Sequence, residues 1–151
     1  GNYDVAELLL QHNADVTQRT NDGRTALMFA AQFADCDFAK LLLQHGASVH
    51  EKDNIGATAF MLATHRTTCD MVELLVQHRA NILEQDKRGA TALFYTGSYS
   101  IAQFLLQQGV DVNHRDNQGA TALMKAAWSN KCEVAKLLLQ HRADIAQCND
   151  K

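Results

Sequence analysis

The chain has 151 residues, 46% of them apolar and 21% charged, which suits one ordinary folded domain and is too apolar for disorder. A net charge of −3 excludes a general phosphate-binding field, and the complete absence of proline excludes Pro-rich linkers. The longest purely apolar runs, such as Ala26 to Ala31, fall far short of the roughly 20 residues that a membrane span needs. Gly1-Asn2-Tyr3-Asp4 has neither the basic lead nor the apolar core of a signal peptide.

In chain order, the first phrase is VAELLLQHNADV from Val5. Four relatives of it follow: FAKLLLQHGASV from Phe38, MVELLVQHRANI from Met71, IAQFLLQQGVDV from Ile101 and VAKLLLQHRADI from Val134. Val5/Leu8/Leu9 and their four counterparts fall at i, i+3, i+4, which predicts a helix with one apolar face. Asp37, Lys40 and Gln44, or Glu133, Lys136 and Gln140, take the opposite face. Ahead of the last four copies stands a second phrase: GRTALM from Gly23, GATAFM from Gly56, GATALF from Gly89 and GATALM from Gly119. It predicts a shorter helix that starts at Thr25, Thr58, Thr91 or Thr121, a residue type able to cap free N–H groups. The Asp-, Asn- and Gly-bearing links, such as HEKDNIG and HRDNQG, predict tight turns. Each unit is thus turn, short helix, longer helix, and only stacking gives such units a core.

These recurrences resemble the ankyrin repeat, with D-x-x-G-x-T-A-L, two helices and a closing G-A-D-V at a 33-residue period. The resemblance implies an all-α solenoid of stacked helix-turn-helix units joined by β-turn or hairpin-like loops. It covers one domain, 1–151: a partial repeat at 1–19, repeats at 20–52, 53–85, 86–115 and 116–148, and the start of another at 149–151. Neither end is built as a polar cap, so the expectation is a segment of a longer array. The chain departs from the family in having Ala26, Ala59, Ala92 and Ala122 where Pro is common, and Met28, Met61, Phe94 and Met124 where His is common. The helix-ending glycine survives as Gly46 and Gly109 but is Arg79 and Arg142 elsewhere, a costly choice at a positive-φ corner.

Chemistry-bearing patterns are few. His12, His45, His78 and His141 share a slot at a helix C-terminus, where the dipole favours a cation; stacked slots lie about 10 Å apart, too far to share a zinc ion. Cys36, Cys69 and Cys132 share another slot and are expected as small buried thiols, leaving Cys148 the reactive one in a reducing cytosol. Asp53, Asp86 and Asp116 recur at the turns, where an aspartate bonds its own backbone. Arg24, Lys52, Lys87, Arg88 and Arg115 alternate with acidic neighbours, which predicts a mixed-charge rim and no nucleic-acid track. No catalytic motif, metal set or cofactor loop stands out, so the chain is expected not to be an enzyme.

The resemblance implies a protein partner held on the concave face by turn tips and the ends of first helices. Mapped onto this chain, the candidates are Arg24, Phe33, Ile55, His65, Arg66, Lys87, Arg88, Gln118 and Trp128. The unit that holds Tyr95 and Tyr99 is three residues short, losing positions that correspond to Phe33 and Ala34 or to Trp128 and Ser129. That deletion predicts a notch walled by Arg66 and Trp128 and floored by Tyr95 and Tyr99. The alternatives are a docking or spacer segment of a larger enzyme or effector, or a substrate hydroxylated at Asn113 within LLQQGVDVN. The expected state is a cytoplasmic monomer without cofactor, metal or membrane insertion.

Overall fold

A computed structural model describes residues 3–65 and 69–146, with the side chain of Cys69 outside the description. Nine helices are present among these residues: α1 (Tyr3–Gln11), α2 (Ala26–Phe33), α3 (Cys36–Gln44), α4 (Ala59–Ala63), α5 (Cys69–Gln77), α6 (Ala92–Tyr95), α7 (Tyr99–Gln107), α8 (Ala122–Trp128) and α9 (Cys132–Gln140). The odd-numbered helices all have 9 residues, whereas α2, α4, α6 and α8 have 8, 5, 4 and 7. Each short helix packs on the long helix that follows it, and each kind packs on its neighbour in the next unit, so the helices form two layers. Among the described residues there is no strand, only isolated bridges between Lys52 and Thr58 and between Arg115 and Thr121, across the turns that precede α4 and α8.

Between the layers runs one core. Leu27, Met28, Phe60, Met61 and Leu93 enter it from the short helices, and Leu42, Leu75, Ile101, Leu105 and Leu138 from the long ones. The alanine pair Ala30-Ala31 is buried, which lets α2 lie close to α3 and α4. The i, i+3, i+4 face expected to be buried fails in one copy: Val5, Leu8 and Leu9 are 55–58% exposed, and only Leu10 of α1 is buried. In α3 that face meets α2, and α1 packs on α3.

The turns lock onto each other by backbone bonds. Asn54 N–H donates to Asp22, Lys87 N–H to Ile55 and Asn117 N–H to Arg88, one rung per junction. The amides of Asn54 and Asn117 add bonds to the carbonyls of Asn21 and Lys87. Gly56 shows how tight this is: its φ is +84°, and a Cβ there would sit 2.8 Å from the Lys87 nitrogen. Asp53, Asp86 and Asp116 each accept two backbone N–H bonds from residues two and four ahead, which fixes three of the turns, while in the first Thr20 accepts from Arg24 N–H. The corner residues Arg79 and Arg142 have φ of +64° and +65°, matching Gly46 and Gly109, so the chain does hold arginine in the left-handed region there.

Capping is less uniform than the repeated threonine implies. Thr58 and Thr121 accept from Met61 and Met124 N–H, whereas the buried hydroxyls of Thr25 and Thr91 have no hydrogen-bond partner. The histidine slot satisfies the opposite ends: Nδ1–H of His12, His45 and His78 donates to the carbonyl four residues back, at 2.9–3.0 Å. The cysteine slot corrects the expectation of buried thiols. Cys36 is half-buried and Cys132 exposed, because the slot opens its helix and side chains there point back toward solvent. Burial, and then the Asp70 charge, push the Cys36 thiol up. Cys148 lies outside the described residues.

Candidate functional site: a cleft beside the short helix

Counted from the motif threonine, the first helices diverge at one slot, occupied by Gln32 near the end of α2, His65 just beyond α4 and Trp128 at the end of α8, which corrects the expected match of Trp128 with Phe33. α6 stops at Tyr95 and has nothing to place there, since Thr96 turns into extended backbone at φ −74°, ψ 134°. On the α4 side the loss is made good, for His65 meets Tyr95 edge-on with ring centres 5.1 Å apart. On the α8 side it is not. A cleft of about 610 Å³ opens between α6 and α8, within the size range of ligand pockets.

Leu93, Phe94 and Met124 give the cleft apolar walls, while Arg88, Tyr95, Lys125, Trp128 and Lys131 give it an aromatic and basic rim. Trp128 is 82% exposed, and the Lys125 ammonium lies 4.5 Å from the centre of its ring. Lys131 reaches back over the loop that replaces the missing turn: a Cβ on Gly97 would stand 3.0 Å from its Cε and 3.2 Å from its Nζ.

One wall is rigid. The Asp86 side chain is fully buried and accepts from the Tyr95 hydroxyl, the Arg88 guanidinium and two backbone N–H groups. Burial alone would raise this carboxyl, but those bonds outweigh it and hold it below the usual aspartate value. Tyr95 is raised instead, by burial first and then by the bond to Asp86. Arg88 Nη2 also donates to the Tyr95 hydroxyl at 2.9 Å.

A sequence model of ankyrin repeats matches three overlapping stretches, residues 1–53, 35–116 and 60–149, and so nearly the whole chain. The chain belongs to the ankyrin repeat family. Comparison with curated proteins gives no match. Ankyrin repeats are generally protein–protein interaction modules, and such domains are typically non-enzymatic. No helix among the described residues is long and apolar enough to cross a membrane.

Within this ankyrin array the sequence-derived candidates separate into groups. His65, Arg88, Tyr95, Gln118 and Trp128 all line the cleft. Ile55 and Lys87 lie exposed at turn tips joined by the Lys87–Ile55 backbone bond, and Phe33, 65% exposed, ends α2 away from the cleft. Arg24 is occupied: its Nη1 donates to Gln32 at 2.9 Å and its Nε lies 3.4 Å from buried Asp53. Arg66 lies outside the described residues. Tyr99 needs correcting, because it opens α7 at 43% exposure and does not line the cleft. The Thr96-Gly97-Ser98 loop replaces the helical turn that would have aimed it there. Asn113 bridges to the next unit, accepting from Asp144 N–H at 2.8 Å and donating to the Arg142 carbonyl at 3.4 Å.

Lys125, Lys131 and Gly97 were missed. A signal for Lys131 existed in the slot just before each long helix, which reads Asp35, Thr68, Ser98 and Lys131. The first three are cap formers, and Asp35 does cap α3 through Phe38 N–H. Lysine is no acceptor, and α9 has no side-chain cap.

Proposed function

We propose that this ankyrin segment is a non-catalytic protein-binding module, cytoplasmic and monomeric, that holds its partner on the face formed by turn tips and first-helix ends. The cleft between α6 and α8 carries the reading. It combines a solvent-facing tryptophan with a preformed apolar pocket, and Trp and Arg are the residue types enriched where binding energy concentrates. A partner side chain entering beside Trp128 would bury its ring against Met124 and Leu93 without rearranging the stack. The surrounding tips, Ile55, Lys87, Arg88 and Gln118, form the outlying contacts, and Arg24 and Phe33 extend them toward α2. The free thiols Cys36 and Cys132 suit a reducing compartment.

The test is affinity capture from the native cell type with three baits: the parent chain, Trp128→Ala and Phe33→Ala. Proteins that the parent and Phe33→Ala both retain but Trp128→Ala loses, with melting temperatures unchanged, support docking at the cleft. An identical retained set for all three baits overturns it.

A further inference from the structure

The cleft's chemistry narrows the kind of partner. We infer that it takes an acidic protein segment, one that presents a carboxylate next to a bulky apolar side chain. This inference rests on the docking role proposed above and adds the charge of the occupant.

The cations are what set this cleft apart from the rest of the molecule. Overall the chain is acidic, with 17 Asp and Glu against 14 Lys and Arg, yet Arg88, Lys125 and Lys131 converge on one opening. Several basic residues elsewhere are held by acidic partners. Arg19 pairs with Glu51, Lys52 with Glu84, Lys40 with Asp37 and Lys136 with Glu133. Lys131, by contrast, makes no ion pair or side-chain hydrogen bond among the described residues. Lys125 meets only the face of Trp128. Arg88 spends Nε and Nη2 on Asp86 and Tyr95 and keeps Nη1 for a ligand.

The acids of the cleft engage Arg88 but give neither lysine an ion pair among the described residues. Asp86 is fully buried and shared among four donors. Asp116 directs Oδ1 into its own turn, toward Gln118 and Ala120 N–H. A basic segment would therefore meet the ammonium groups of Lys125 and Lys131, and a wholly apolar one would desolvate them without a partner. A carboxylate satisfies them, and its apolar neighbour has Trp128, Met124 and Leu93 to cover.

The experiment pans a display library of random dodecapeptides on the full chain. The selected peptide and its Glu→Gln or Asp→Asn form are then titrated into isotope-labelled protein. Three results support the inference together: acidic–apolar pairs enrich, the shifts centre on Gly97, Trp128 and Lys131, and the amide form binds about tenfold weaker or worse. Lys131→Gln should reproduce that loss while leaving the melting temperature in place, and Lys131→Glu should deepen it. Peptides that map to the cleft but bind equally well as amides overturn the acidic preference and leave the docking role standing. If no peptide enriches, or those enriched map elsewhere, both fall.

Discussion

α2 against α4 and α6 against α8 are the same junction built twice, and only the first is closed. In the first, eight-residue α2 lies along α4, Met61 is 1% exposed, and the slot of Gln32 is tied to Arg24. In the second, four-residue α6 ends early, Met124 is half-buried and the same slot holds a tryptophan in solvent. The long helices behind both junctions keep nine residues each. Length changes in a repeat array are thus absorbed by the short layer, where they create a site, while the other layer keeps the stack together.

The sharpest way to break this comparison is to truncate the equivalent methionines. Met61→Ala should cost about 2–5 kcal/mol because it leaves a sealed cavity, while Met124→Ala should cost about 1–2 kcal/mol, its vacated space opening to water. Equal losses in urea melts would mean that the second junction is as closed as the first. The converse change restores the missing turn by inserting Ala-Gln-Phe, as at Ala31–Phe33, between Thr96 and Gly97. It should raise stability by about 1 kcal/mol through added apolar burial. It should also shift the emission of Trp128, the chain's one tryptophan, to the blue.

Tyr95→Phe tests the rigid wall and should cost about 1–2 kcal/mol near neutral pH by removing a hydrogen bond to a charged, buried group. The Asp86 carboxyl is lowered in the fold, so its contribution is complete above its unfolded value and is lost as pH falls through the folded one. The difference between parent and Tyr95→Phe should therefore hold from neutral pH down to about 4 and then shrink. A difference constant down to pH 2 would remove Asp86 from the account. The smallest effect is expected of Gly97→Ala. Its Cβ presses only on the flexible end of Lys131, so stability should change by no more than about 0.5 kcal/mol. Binding of an acidic dodecapeptide should fall severalfold as the ammonium is displaced, and unchanged affinity would mean that Lys131 does not contribute.

The long helices were legible from sequence because their i, i+3, i+4 apolar triplets recur five times. Recurrence also exposed the strained corners, since Arg79 and Arg142 align with Gly46 and Gly109. A gap could be foreseen at the short unit from counting residues. What filled its rim could not, because the direction of Tyr99 depends on a three-residue loop that no other unit shares. Identity in a repeated phrase also hid differences in how one residue type is satisfied. Four threonines in one slot gave two caps and two unpartnered hydroxyls.

The shortened α6 has a further consequence for how the stack comes apart. Folding in a linear array propagates from unit to unit, with each interface supplying the cooperativity. Across the cleft that coupling runs through α7 on α9, α6 on α8 and the Asn117–Arg88 turn bond. The four-residue α6 is the shortest helix of its layer, so its own amides should exchange with solvent at a lower free energy than those of eight-residue α2. A partner bridging the cleft from α6 to α8 would brace that short helix and raise the free energy at which it opens.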